Sequence, residues 1–373
     1  MSPARFSYMK GHSMQGWRNP SVIEGLQKTL SPLSPLYEKI LAARAALYNL
    51  GLFGSRRLPR PVISVGNLIT GGTGKTPLVI YIVEALSREG VRLAVLSRGY
   101  GGTARERVNL VSDMERVCLG PREAGDEPVL MAKALPGTPV LVGKNRFALG
   151  EEAIRRFPVD CLILDDGFQH LPLKRDANLL LLDGVNPFGE EQCLPGGNLR
   201  EGIQAIHRAD IIVLTGRATE ETRARVVSLV PDKPLFTVRF VPGCVRPHGS
   251  EQLEALSTIR DRRVMAFAGI ARTERFFDSL GEAGAIIVGE RSFPDHHPYT
   301  SKELEWIVRE GREKGADYLV TTEKDLVRLP SPSLSPPLLA LGLKTEMENG
   351  QAFLLEIKKR IQRPPESQPR PQR

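Results

Sequence analysis

The chain has few cysteines, no long apolar run and no repeated segment, and each scarcity argues against a class of protein. Its four cysteines, Cys118, Cys161, Cys193 and Cys244, lie far apart, with no C-x-x-C pair and no histidines at metal-ligand spacing. That pattern is neither a disulfide framework nor a zinc site, and it reads as reduced thiols in a cytosolic protein. No stretch supplies the roughly 20 apolar residues that a membrane-crossing helix needs. The start, "MSPARFSYMKGHSMQGW", lacks the apolar core of a secretion signal, so a chain neither secreted nor membrane-spanning is expected. There is no period of solenoid length.

What is present is an ordinary soluble composition in 373 residues, 41% hydrophobic and 25% charged, with a formal charge of +8. The length suits two compact units, and the basic excess suits an anionic partner: nucleic acid, an acidic membrane surface or a phosphorylated substrate.

Residues 1–33 read as a polar extension. From Ser34, "SPLYEKILAARAALYNLGLFG" opens with a Ser-Pro helix start and sets Leu36, Ile40 and Leu47 beside Tyr37, Leu41 and Tyr48 on adjoining rows. Lys39, Arg44, Arg56, Arg57 and Arg60 accompany it. The segment 34–58 is therefore either a helix packed on its own unit with a basic edge or an interfacial helix on anionic lipid. Over 59–225, short runs rich in Val, Ile and Leu ("PVISVGNL", "RLAVLSRGY", "TPVLVG", "DCLILDDG", "NLLLLDG", "DIIVLTG") alternate with helical stretches such as Thr76 to Glu89 and Arg146 to Phe157. This is the pattern of a doubly wound α/β sheet buried on both faces. A second, smaller α/β unit is expected over 226–345, and a C-terminal helix with a disordered, proline-rich tail over 346–373.

The first strand leads into "GNLITGGTGKTP" and then a helix, the strand-loop-helix setting of a phosphate-binding loop. The strict motif wants glycine where Ile69 stands. The rest is intact: Ile69, Thr70, Gly71, Gly72, Thr73 and Gly74 would wrap the phosphates, Lys75 would reach the β- and γ-phosphates, and Thr76 would hold Mg²⁺. No N-K-x-D is present, which favours adenine over guanine; "TTEKD" only imitates it. Asp165 and Asp166 follow the strand "CLIL" at its carboxyl end, where either could serve the metal. Asp126 of "GDEP" is a helix cap or a functional acid. Arg200 and Glu201, after a Gly pair, are a phosphate clamp or a surface ion pair. His170 is most simply structural, and "SFPDHHPYT" is most simply a turn with two solvated histidines, since further metal ligands are not evident.

Taken in order, "GNLITGGTGKTP", "SRGYGG", "GDEP", "DDGFQH", "LREG", "FAGIARTERF", "FPDHH" and "TTEKDLVRL" resemble the tetraacyldisaccharide 4'-kinases, lipid A 4'-kinases of Gram-negative bacteria, over roughly residues 35 to 330. The resemblance implies a P-loop NTPase-like unit plus a smaller α/β unit closing over the cleft, with an N-terminal helix touching the membrane. It implies transfer of the γ-phosphate of ATP, with Mg²⁺, to the 4'-hydroxyl of a tetraacylated glucosamine disaccharide 1-phosphate, forming lipid IVA. By motif, Asp126 is then the catalytic base and His296 its partner from the second unit. Asp165 and Asp166 lie by the metal and phosphates, and Arg200 and Glu201 help to bind them. The implied partners are the lipid substrate and the inner-membrane surface at the cytoplasmic face, with no nucleic acid, and the chain would act as a monomer. An acylated substrate also favours the interfacial reading of the helix at 34–58, since leaving the bilayer costs about 0.8 kcal/mol per CH₂. This chain reads "NLREG" where the family commonly shows "PLREP", so Asn198 and Gly202 depart from it. The rival is a P-loop switch or assembly ATPase acting on a protein partner, whose extra signature lysine would fall at Thr70 and is absent.

Overall fold

The computed structural model describes Gly25, 27–250, 252–329 and 334–362. Most of the extension expected over 1–33 and the tail expected from Pro364 lie outside the described residues. Helix α1 (Ser34–Asn49) precedes the first unit, which begins with β1 (Val62–Asn67), α2 (Lys75–Arg88), β2 (Leu93–Ser97) and β3 (Asn109–Ser112). It continues with α3 (Pro121–Ala124), α4 (Asp126–Ala134), β4 (Val140–Val142), α5 (Arg146–Arg156), β5 (Cys161–Asp165), β6 (Ala177–Asp183), β7 (Ile211–Thr215) and α6 (Glu220–Leu229). The six apolar runs are all strands, and all are buried throughout because helices cover both faces. Alternation in β1 shows the two faces. Ile63 and Val65 pack with Leu78 and Ile82 of α2, whereas Val62 packs with Phe147 and Leu149 of α5.

The second unit holds β8 (Leu235–Pro247), β9 (Arg263–Ala268), α7 (Thr273–Glu282), β10 (Ile286–Ser292), α8 (Ser301–Glu313), β11 (Tyr318–Thr322), α9 (Glu323–Leu326) and β12 (Leu338–Met347). Its own cores lie on either side of β9 and β11. The units share one sheet of order β10-β9-β11-β12-β8-β7-β6-β1-β5-β2-β4-β3. The long strand β8 makes the join. Its first residues run parallel to β7, while the strand pairs antiparallel with β12 from Val238 to Pro247. The chain then returns to the first unit, where Phe353 and Ile357 of α10 (Gly350–Ile361) enter the cluster around α2. Spacing of four residues places both on one helix face.

For function, the decisive consequence is where strand ends fall. β1 runs parallel between β5 and β6, with Val65 beside Asp165 and Asn67 beside Leu181. The loop after β1 therefore opens next to the carboxyl ends of β5 and β6, the crevice in which open α/β sheets bind ligands.

Candidate active site

Residues 68–74 join β1 to α2, and their surroundings account for the residue in the first-glycine position. Ile69 is 4% exposed in a cluster with Leu68, Phe168, Leu182 and Phe188, and it forms an antiparallel bridge with Leu199. Hydrogen bonds from Thr70 N to Asn198 O (2.8 Å) and from Arg200 N to Leu68 O (2.7 Å) continue the pairing. The "LREG" segment is thus fastened to the phosphate loop, and a buried side chain at 69 is part of the fastening. Glycine is kept where backbone and space require it. Gly74 has φ of 84°, and a Cβ there would stand 2.0 Å from a ring carbon of Phe240 in β8.

The polar side chains converge from β1, β2, α2, the end of β5 and the "LREG" segment. Lys75 Nζ lies 3.2 Å from Asn67 Oδ1 and 3.4 Å from Asp166 Oδ1. Arg200 Nη1 donates to both oxygens of Asp166, at 2.9 and 2.8 Å. Burial alone would raise the Asp166 carboxyl, but Lys75 and Arg200 outweigh it and hold the group below its ordinary range. Asp165 has the opposite balance. Burial, then the charges of Glu127 and Asp166, push its pKa up, although Ser97 Oγ donates to Oδ2 at 3.0 Å. Its Oδ1 is buried with no hydrogen-bond partner, and so is the hydroxyl of Thr73.

Across the sheet edge, Asp126 opens α4 and meets the second unit. His296 Nδ1 lies 2.9 Å from its Oδ2 and 3.1 Å from its Oδ1, and Arg328 Nε stands 3.6 Å away. The pair that the sequence could place only by resemblance is therefore formed, between residues 170 positions apart. Burial would raise Asp126, but the hydrogen bond from His296 and the charges of Lys324 and Arg328 bring it below the usual carboxylate value. His296 moves the other way: its contact with Asp126 raises it against burial and Lys324.

Other residues take places that the sequence did not suggest. Glu201 turns to Arg208, with an N–O distance of 2.5 Å, and its second oxygen is buried without a hydrogen-bond partner. That contact separates its surroundings from those of Arg200, next to it in sequence. At Gly202, a Cβ would stand 2.2 Å from Glu38 Oε1 of α1, so the departure from the family pattern gives room to the N-terminal helix. His170, expected to be structural, is partly buried: burial, then Arg146, Arg175, Arg44 and Arg98, push its pKa down to about 4. Arg146 itself is 5% exposed, with Nε unpartnered and its pKa lowered to about 10 by burial and Arg98. Sequence reading also passed over Lys324 and Arg328. Their helical spacing, with Asp325 between, was the available signal.

A preformed cage of three or more His, Cys, Asp or Glu ligands is absent among the described residues. Mg²⁺ needs no such cage, because one or two carboxylates with substrate phosphates usually suffice. The unpartnered Asp165 oxygen, the largely buried Thr76 and the open space beside Gly71 and Gly72 fit a nucleotide with its metal.

Comparison with known proteins gives the same family. The family model for LpxK, tetraacyldisaccharide-1-P 4'-kinase, matches residues 26–362. The tetraacyldisaccharide 4'-kinase of Pelobacter propionicus is 44% identical over 314 residues, covering 84% of this chain and 86% of that protein. That of Syntrophus aciditrophicus is 40% identical, covering 90% and 94% respectively. The crystal structure of LpxK from Aquifex aeolicus in complex with ATP superimposes with a TM-score of 0.73 at 34% identity, covering 90% of this chain and 99% of that one. With its loop, acid pair and interunit Asp–His contact in family order, the chain belongs to the tetraacyldisaccharide 4'-kinases.

Proposed function

We propose that Asp126, held by His296, is the general base of the 4'-kinase reaction. The chain phosphorylates the 4'-hydroxyl of a tetraacylated glucosamine disaccharide 1-phosphate, a step of lipid A biosynthesis. In our reading ATP is the donor. The sugar oxygen forms its bond to the γ-phosphorus, the bond from that phosphorus to the β,γ-bridging oxygen breaks, and the hydroxyl proton passes to Asp126. A sugar hydroxyl is too weak an acid to ionise unaided near neutrality, so proton removal must accompany attack. The carrying observation is the 2.9 Å contact between His296 Nδ1 and Asp126 Oδ2, which joins the units beside the acid pair.

Around the donor, Lys75 and Arg200 supply positive charge to the phosphates, and the amides of residues 69–74 surround them. Thr76 and Asp165 are the best-suited holders of Mg²⁺. Asp166 is already engaged by Lys75 and Arg200, and Glu201 by Arg208. When bound, the ion supplies charge neutralisation at the transferring phosphate. On the acceptor side, the buried and unpartnered Arg146 Nε among Arg98, Arg175 and His170 suits an anionic acceptor.

The lipid must be reached at a membrane. Among the described residues no helix is long and apolar enough to cross one. The two rows of α1 divide instead: Tyr37 packs on the first unit, whereas Leu36 and Ile40 are 58% and 57% exposed. With Lys39 on the same helix and Arg56 and Arg57 following it in the chain, that face supports peripheral contact with the cytoplasmic face of the inner membrane.

The test is transfer of labelled phosphate from ATP to the tetraacyl disaccharide 1-phosphate in detergent. Transfer is expected from the wild type and not from Asp126→Asn, with ATP affinity retained. Unchanged kcat in that variant would reject Asp126 as the base.

A further inference from the structure

Strand β1 ends in a polar side chain on its otherwise apolar α2 face. Side chains alternate along a strand, so Asn67 shares the face of Ile63 and Val65, which pack on α2. It is fully buried there, and both ends of its amide are engaged. Nδ2 donates to the carbonyl oxygen of Ile69 at 2.8 Å, and Oδ1 accepts from Lys75 Nζ at 3.2 Å. The partners settle which end is which, because a carbonyl oxygen only accepts and an ammonium only donates. The backbone of Asn67 is held as well: its carbonyl oxygen accepts from Gln169 Nε2 of "DDGFQH" at 3.0 Å. One residue therefore joins the start of the phosphate loop, the loop's lysine and the segment that bears the acid pair.

We propose that Asn67 is a positioning residue for Lys75: its side-chain amide, anchored on the Ile69 carbonyl, holds the ammonium in the orientation in which it meets the phosphates of ATP. The anchor is firm. Thr70 N donates to Asn198 O at 2.8 Å, so the peptide between Ile69 and Thr70 is fixed at its carbonyl by Asn67 and at its amide by the "LREG" segment. The other contact of Lys75 is Asp166 Oδ1 at 3.4 Å, and Asp166 is shared with Arg200, which donates to both of its oxygens. Asn67 thus gives the lysine a second acceptor without placing another negative charge beside the phosphates. A carboxylate at 67 would hold the ammonium too, but it would offset the charge that ATP needs and could not donate to Ile69 O. An apolar side chain would leave the lysine to Asp166 alone and the Ile69 carbonyl buried without its donor.

This inference rests on Lys75 being the lysine that reaches the phosphates of ATP. The test is a double-mutant cycle in the full-length enzyme with Asn67→Leu, Lys75→Met and the two combined, reading the Kd for ATP by titration calorimetry and the KM values for ATP and for the lipid. Asn67→Leu alone should weaken ATP binding by about tenfold and raise the KM for ATP with it, while the KM for the lipid stays unchanged. Added to Lys75→Met, the same substitution should cost at most about twofold more, because no ammonium is left to position. Asn67→Ser, small enough to admit a water beside Ile69 O, runs through the same cycle if the leucine variant does not fold, and the same coupling is expected. Losses that multiply in the combined variant overturn the proposal, as does an Asn67 variant that lowers Tm and leaves ATP affinity untouched. The reading of Lys75 fails separately: Lys75→Met by itself would then bind ATP as the wild type does.

Discussion

Ile69 and Leu199 face each other as an antiparallel bridge, so the first-glycine position of the phosphate loop is a strand-like contact to the segment that bears Arg200. The side chain at 69 lies in an apolar cluster rather than over the nucleotide space. The loop is therefore anchored at its start by burial and shaped at its end by Gly74 under Phe240.

Restoring the strict motif should do harm. Ile69→Gly removes a buried side chain and frees the backbone, and a loss of about 3 kcal/mol or more is expected in urea unfolding. ATP affinity by titration calorimetry should fall because Arg200 loses its fixed position. Tighter ATP binding in the variant would show that Ile69 is a defect after all.

Substitutions at Lys75 and Asp126 should separate binding from chemistry. Asp126→Asn keeps the shape but cannot accept a proton, so kcat should drop by about 10²–10⁴-fold with the Kd for ATP nearly unchanged. Lys75→Met removes a charge set toward the phosphates and should weaken ATP binding itself. Equal effects of both variants on Kd and kcat would contradict this division.

Another interunit contact makes stability depend on pH. Asp183, at the end of β6, accepts from Arg272 Nη1 at 2.6 Å and Arg275 Nη2 at 2.8 Å. Burial would raise this carboxyl, but the two arginines and the amides of Val185 and Asn186 bring it down to about 2. A depressed folded value means that the stabilisation is complete above the unfolded pKa, roughly 3.9, and is lost as pH falls toward the folded one. Asp183→Asn should lower Tm at pH 7, and its gap from the wild type should shrink from about pH 4 downward. A gap independent of pH would mean that packing, not charge, is what the substitution removes.

The outward face of α1 can be tested apart from catalysis. Leu36→Glu with Ile40→Glu replaces two exposed apolar residues, so folding and ATP affinity should hold. Co-sedimentation with vesicles containing anionic lipid should fall severalfold, and lipid turnover on vesicles should fall with it. Unimpaired sedimentation would remove this face from the membrane reading.

Legibility differed with the range of the interaction. Six of the seven strands of the first unit could be read because each is an apolar run bounded by polar turns. β3 escaped notice: it is short and half-polar, an edge strand held by β4 alone. β12 also escaped, because its pairing with β8 brings together residues about a hundred positions apart, and local pattern carries no trace of register. Within the site, the loop and the acid pair after β5 have local signatures. The contacts of Lys324 do not, since they depend on α9 lying against both α4 and the His296 loop.

The sequence by itself determined the α/β class, the phosphate loop and, through the order of its motifs, the family, because these reside in residues close together along the chain. Tertiary structure decided which charges meet. It set Asp166 against Lys75 and Arg200 while leaving an oxygen of Asp165 unpartnered, turned Glu201 to Arg208, and placed His296 between Asp126 and Lys324. The reason is physical: ionisation and hydrogen bonding depend on distances of a few ångströms and on exclusion of water, and both come into being only when the two units fold onto one sheet.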